Sequence, residues 1–181
     1  MTHALKDPWF LSFLPNITQA MVQQDYGGKW KEAQQKLLRP IDFISSIEEL
    51  WSTFNSLPKV PNLAAGDTIL LARKNKEASF EAFPHGKRVL LTVYTASAAE
   101  KAVDVVLTAV IGEQVIKVCD SESICDVIRM AHKPSYQFKD CVRIELWLSS
   151  AQHTEAIIAY LKDQLKEKGV PQFDLKETNL E

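Results

Sequence analysis

The sequence predicts an α+β fold, an antiparallel sheet with helices on one face, and three observations carry that expectation. Three segments combine helical periodicity with capping residues or stop signals at their ends. Six β-rich runs lie among them, several separated only by short turn-like stretches. Strand follows helix in no strict βαβ rhythm, which disfavours a parallel sheet with helices on both faces.

The elements follow in chain order. "WFLSFL" at 9–14 reads as the first strand, and a polar stretch at 16–29 as a loop. In "SSIEELWSTFNSLP", Ser46 and Glu49 form a capping box, Ile47, Leu50, Trp51 and Phe54 repeat at i, i+3, i+4, i+7, and Pro58 closes the helix. "TILLA" at 68–72 is a strand, followed by a second polar loop at 73–87 and a strand "RVLLTVY" at 88–94. Ser97 and Glu100 cap a second helix ending near Gly112, with Val103, Val106, Leu107 and Val110 as its stripe. Then come "VIKVC" at 115–119 and "ICDVIRM" at 124–130, both read as strands, a polar loop at 132–139, and "VRIELWL" at 142–148. The third helix spans about 154–168, with Ile157, Ile158, Leu161 and Leu165 inward and Gly169 and Pro171 as its stop.

Composition bounds the function. With 181 residues, 46% hydrophobic and 24% charged, the chain reads as a single domain over 1–181, with a short arm at about 1–8 and a short tail at about 172–181. A net charge of −2 supplies no overall field for nucleic acid, so any polyanion site must be built from a few placed cations. No apolar run approaches the roughly 20 residues of a membrane span, and the start lacks a signal-peptide hydrophobic region, so an intracellular, cytoplasmic protein without membrane contact is expected. Cys119, Cys125 and Cys141 are odd in number and show no CxxC spacing, so reduced, mostly buried thiols are expected. There is no Ser-His-Asp set, Walker loop or dinucleotide fingerprint, and the four histidines lack metal-ligand spacing. A binding protein with no metal and no cofactor is favoured over an enzyme.

Several aromatics stand on the wrong side of their elements. Period-2 alternation over 142–148 puts Val142, Ile144, Leu146 and Leu148 on one face and Arg143, Glu145 and Trp147 on the other. Trp147 either covers a cationic stem or lines a binding surface on the open face of the sheet. Trp30, in "YGGKWKEAQ", is surrounded by charge, so it is exposed unless another loop covers it. Trp51 lies on an amphipathic stripe, where a core or helix-face role is the default. In "SFEAFPHGKR" an aromatic adjoins a carboxylate and two cations follow.

Taken in order, "HALKDPWFLSF", "SIEELWSTFNSL", "GKRVLLTV", "AVIGE" and "RIELW" resemble the eukaryotic translation initiation factor 4E family, which binds the 7-methylguanosine cap of mRNA. The likeness covers roughly residues 3–171. It implies a strongly curved antiparallel sheet with three helices on its convex face and the cap in the concave mouth. By that resemblance Trp30 and Phe80 sandwich the methylated base, with Phe83 as the competing candidate for the second ring. Glu81 reads the base edge, and Trp147 touches the methyl group. Phosphate contacts fall to Arg88 and Arg143 and to a further basic position at His132 or Lys133. His3, Ile47, Trp51 and Gly112 match the surface that receives the scaffold protein, initiation factor 4G, or a repressor. Asp104 and Thr108 stand where apolar residues are usual.

The residue types suit that ligand. Methylation at N7 makes guanine a delocalised cation, which two aromatic faces attract by about 0.5 to 2 kcal/mol each. A carboxylate accepts from N1–H and the N2 amino group, and guanidinium and ammonium groups meet the phosphates. The rival from another class is a translation-repressor or interaction module with a weak or degenerate cap pocket. Phe80 in place of a tryptophan favours it; Trp30, Glu81, Arg88, Arg143 and Trp147 oppose it. A cap-hydrolysing enzyme would need clustered carboxylates for metal-assisted chemistry, and the sequence has none.

Overall fold

The computed structural model describes residues 1–121 and 124–180. Seven strands form one antiparallel sheet: β1 (Ala4–Leu14), β2 (Arg39–Ser46), β3 (Thr68–Arg73), β4 (Lys87–Val93), β5 (Cys125–His132), β6 (Val142–Leu148) and β7 (Phe173–Asn179). Their order across the sheet is β2-β1-β3-β5-β6-β4-β7, and the sheet is not closed. Among the described residues six α-helices accompany it: α1 (Gln19–Tyr26), α2 (Trp30–Leu37), α3 (Ile47–Ser56), α4 (Ala96–Val110), α5 (Gln114–Cys119) and α6 (Thr154–Glu167).

The three expected helices are α3, α4 and α6, and together with α5 they bury one face of the sheet. The core joins Leu50 of α3, Val106 and Leu107 of α4, Val115 of α5 and Leu161 and Leu165 of α6 to Leu71, Leu91, Ile128 and Ile144 of the strands. Burial of these apolar side chains at 25 °C is the main stabilising term, and its non-directional nature is why alternation alone sorted the strand faces. At the start of α3, Ser46 Oγ accepts from the Glu49 amide at 3.2 Å, as the capping box predicts. The Glu49 carboxylate returns one residue earlier than expected, to the amide and hydroxyl of Ser45 at 2.6 and 2.8 Å. α4 is capped by Thr95, whose hydroxyl accepts from the Ala98 amide, rather than by Ser97. Either pairing fits the N-cap preference for hydroxyl residues, and only the backbone decides.

Four sequence expectations need correction. "VIKVC" is the short helix α5: residues in left-handed conformation, Glu113 (φ 64°) and Asp120 (φ 48°), bound it, and Val115 and Cys119 face the core at i, i+4 spacing. Its β-branched content suggested a strand, but packing against neighbouring helices overrides propensity. The stretch 16–29 contains α1, capped by Thr18 and ended by Gly27 at φ 56°, and Trp30 opens α2. Within the arm expected at about 1–8, β1 begins at Ala4, which pairs with Ser46 of β2. The tail expected at about 172–181 contains β7, paired along the whole of β4 from Lys87↔Asn179 to Val93↔Phe173. β2 and β7 are the sheet's two edge strands, largely exposed, and Pro40 is tolerated on such an edge.

Candidate functional site

Register fixes what the other face of the sheet presents. Arg88 pairs with Trp147, Leu90 with Glu145 and Thr92 with Arg143 between β4 and β6. Across the next ladder Val127 pairs with Trp147, Arg129 with Glu145 and Ala131 with Arg143. Directly paired residues share a face, so Arg88, Arg129, Arg143, Glu145 and Trp147 stand together on the side opposite the helical core. A second, separate apolar cluster forms there from Leu70, Phe83, Val127, Trp147 and Leu180.

Trp147 is its centre. The indole is 1% exposed, because Phe80 stacks over it with centroids 5.4 Å apart and planes at 30°, while Phe83 meets it edge-on at 5.6 Å. Its N–H donates to Glu145 Oε2 at 2.9 Å, and the other oxygen of Glu145 lies 3.5 Å from Arg88. Arg88 also donates from Nε to Thr178 Oγ1 at 2.8 Å. Glu145 therefore fixes the edge of the ring and one cation at once, a rigid support for the face above.

Phe80 and Phe83 are told apart by exposure. They bracket a 3-10 turn over Phe80–Ala82, but Phe83 is 3% exposed while Phe80 is 42% exposed. Only Phe80 has a ring surface left for a ligand. Glu81, beside it, is exposed, and its carboxylate makes no hydrogen bond or ion pair with a described residue. Trp30 is 42% exposed at the first position of α2. Between α2 and the 75–79 loop lies a cavity of about 360 Å³, lined by Lys31, Leu38, Leu70, Ser79 and Arg129 among others. Trp30 and Phe80 are the immediate chain neighbours of two lining residues, Lys31 and Ser79, without lining the cavity themselves. An ion pair between Lys31 and Glu77 at 3.1 Å ties α2 to that loop. Ser79 Oγ, buried, has no hydrogen-bond partner.

The cations differ in their engagement. Arg129, which sequence reasoning passed over, lies over the Trp147 ring at 5.6 Å and makes no hydrogen bond or ion pair with any described residue. Burial lowers its pKa, opposed by the charge of Glu145 and aided by that of Arg88. The signal was available: Arg129 is a cation inside the apolar run "ICDVIRM", and that run hid its face. Arg143 is exposed and likewise unpaired, and Lys133 is held below the usual lysine range first by burial and then by repulsion from Arg143 and Arg129. Lys133 is thus repelled by two neighbouring cations, and Glu145, whose charge acts on both Arg129 and Lys133, offsets this only in part, which suits the cluster to an anion. His132, expected as a phosphate contact, is instead tied down: its ring nitrogens lie 2.6 and 2.8 Å from the carbonyl oxygens of Leu63 and Lys139.

On the helix-covered side, His3 is anchored to α3, its amide and Nδ1 at 2.9 and 2.6 Å from the Glu48 carboxylate, while its carbonyl accepts from the Ile47 amide. Lys6 donates its amide to Glu113, the residue after Gly112, at 2.8 Å. The start of β1 thus links the neighbourhoods of Ile47 and Gly112. At Gly112 a side chain would meet the Thr108 carbonyl at 2.3 Å, so close backbone approach explains the glycine without any partner. Trp51 is half-buried against the core and borders a cleft of about 120 Å³ with Phe54, Pro58, Val103 and Asp104. Burial raises the pKa of Asp104 there. All three cysteines are free; burial pushes the Cys125 thiol up to about 12, which leaves it inert at neutral pH. Among the described residues no group of His, Cys, Asp and Glu could hold a metal, and no helix is long and apolar enough to cross a membrane.

Comparison with known proteins accords with this geometry. The family model described as eukaryotic initiation factor 4E matches residues 4–179. Among solved structures, Ascaris suum eIF4E-3 in complex with an m7G cap is similar at TM-score 0.71 and 19% identity, covering 92% of this chain and 86% of that one. Caenorhabditis elegans eIF4E-3, in complex with the 4E-binding protein Mextli and a cap analogue, is similar at TM-score 0.69 and 18% identity, covering 97% and 92%. The Ascaris protein also matches in a complex with an m2,2,7G cap, at TM-score 0.66 and 18% identity, covering 93% and 84%. A comparison with curated proteins finds no match.

Proposed function

Because this chain belongs to the eukaryotic initiation factor 4E family, we propose that its open sheet face binds the 7-methylguanosine cap of mRNA while its helix-covered face holds a 4G-like scaffold or a 4E-binding repressor, in the cytoplasm and without catalysis. Trp30 and Phe80 stack on the base, Glu81 reads its N1–H and N2 amino edge, and Trp147 supports the methyl side. Arg88, Arg129, Arg143 and Lys133 meet the phosphates. The observation that carries this reading is a pair of charges beside stacked aromatics that make no hydrogen bond or ion pair with a described residue: the carboxylate of Glu81 and the desolvated guanidinium of Arg129. A ligand with a cationic ring, two donors on one edge and an anionic tail satisfies all three. Complexes of similar proteins with caps and with Mextli support the two-faced assignment.

Titration of intrinsic tryptophan fluorescence with 7-methyl-GTP and with GTP tests it. Quenching by the first at concentrations roughly 10- to 100-fold lower than by the second is expected, from two cation–π faces. Equal response to both nucleotides would favour the second reading, an interaction module without cap selectivity. The stacking of Phe80 on Trp147 gives that alternative its footing, since the ring engages the sheet rather than standing clear of it.

A further inference from the structure

The β5–β6 connection, 133–141, carries an aromatic that the cap site does not use. Tyr136 is fully exposed at its tip. The loop that presents it is built rather than loose: the Lys133 amide donates to the Cys141 carbonyl at 2.8 Å, the Ser135 amide to the Phe138 carbonyl at 2.9 Å, and the Phe138 amide to Ser135 Oγ at 3.1 Å. His132 braces it through the Lys139 carbonyl. Phe138 anchors it against Tyr94, with ring centroids 4.6 Å apart. Tyr94 continues the alternation of Arg88, Leu90 and Thr92 and hydrogen-bonds Asp174, the residue paired with Thr92. The loop therefore leans on the same side of the sheet as the open face.

A run of cations leads to it. Arg129, Arg143, Lys133 and Lys139 have no ion-pair partner among the described residues, although the chain as a whole is net −2. Tyr136 lies three residues beyond Lys133, within about 10 Å of extended chain. Unpaired cations that end in a solvent-facing ring are the two parts of a single-strand nucleic-acid contact: charge follows the backbone and the ring stacks a base.

We propose that the Tyr136 loop binds the RNA chain that follows the cap, with Tyr136 stacking on a base of the first nucleotides and Lys133 and Lys139 following the phosphates. This rests on the cap-binding reading and extends its ligand from the cap to capped single-stranded RNA. Stacking reads any base face, so the contact tolerates sequence.

The test compares 7-methyl-GTP with a short 7-methylguanosine-capped oligoribonucleotide, by calorimetry and fluorescence anisotropy, on the wild type, Tyr136→Ala and Tyr136→Phe. The wild type should bind the capped oligonucleotide more tightly than 7-methyl-GTP. Tyr136→Ala should weaken oligonucleotide binding about 5-fold or more and leave 7-methyl-GTP unchanged, and Tyr136→Phe should retain most of the wild-type affinity. Normal 7-methyl-GTP binding with identical oligonucleotide affinity in wild type and Tyr136→Ala overturns this proposal alone. Absence of 7-methyl-GTP binding in the wild type overturns the cap reading and this proposal with it.

Discussion

Phe80 lies stacked on Trp147, centroids 5.4 Å apart and planes at 30°, while Phe83, three residues on, is turned edge-on into the same indole and buried. One loop thus offers a ring to solvent and drives another into the core. Phe83→Ala should cost about 3 to 5 kcal/mol of stability, as cavity-forming Phe→Ala changes do. Phe80→Ala, which uncovers part of the Trp147 ring, should lower stability less than Phe83→Ala does and should reduce discrimination between 7-methyl-GTP and GTP. Chemical denaturation and paired nucleotide titrations measure both. The assignment of Phe80 fails if selectivity persists in a folded Phe80→Ala protein.

Arg129 separates binding from stability in the opposite way. A desolvated cation without a hydrogen-bonding acid is a cost to the folded state, so Arg129→Met, similar in length and apolar, should keep or raise the melting temperature. The same variant should lose about 10-fold or more in 7-methyl-GTP affinity, because charge-assisted hydrogen bonds to phosphate disappear, and its binding should depend less on salt. Affinity for 7-methylguanosine, which lacks phosphates, should not change. A variant that unfolds, or that weakens the nucleoside as much as the nucleotide, would show that Arg129 supports Trp147 instead.

The sequence was most legible where one face of an element is plainly apolar. The face assignment of 142–148 carried over residue by residue, and α3 begins where its cap predicts. The edges were not legible. β2 and β7 bury little, so their residues have no reason to alternate strictly, and only the neighbouring strand's free hydrogen-bonding groups recruit them. Trp147 was placed on the correct face, yet its near-complete burial depends on Phe80 and Phe83 arriving from a distant loop, which periodicity cannot express. Arg129 was missed for a related reason. Strand β5 is apolar on both faces, one against the helices and one beneath the aromatic cluster, so no alternation marked the cation as facing a cavity.

The N-terminal anchor makes a pH prediction. Hydrogen bonds from the ring and amide of His3 lower the Glu48 pKa from 4.5 to about 2. A carboxylate whose folded pKa is depressed contributes stability that is fully present above its unfolded value and disappears as pH falls through the folded one. Comparing melting temperatures of wild type and Glu48→Gln should therefore show a difference at pH 6 that shrinks from about pH 4.5 downward and closes near pH 2. A difference that stays constant across that range would mean the His3 contact contributes no charge-dependent stability.

The convex cleft makes the last prediction, and its chemistry says what kind of partner to use. Trp51 and Phe54 on α3 and Val103 on α4 supply an apolar wall, and Asp104 stands at the same cleft with its pKa raised by burial. A partly desolvated carboxylate beside exposed aromatic surface favours a helix that carries an apolar stripe and a basic residue next to it, because the cation restores what burial took from the acid. Trp51→Ala should weaken a helical 4G-derived peptide by about 30-fold or more, the range of an interface hot spot, while 7-methyl-GTP affinity is retained. Asp104→Asn should weaken the same peptide less and only when the peptide keeps its basic residue, so a peptide with that residue replaced by glutamine should bind both proteins alike. Because Trp51 also packs on the core, its variant must be compared at matched melting temperature or with Trp51→Phe, which keeps most of the contact. If Trp51→Ala loses the peptide and the nucleotide together, the tryptophan belongs to the fold and the cleft beside it is not a docking site.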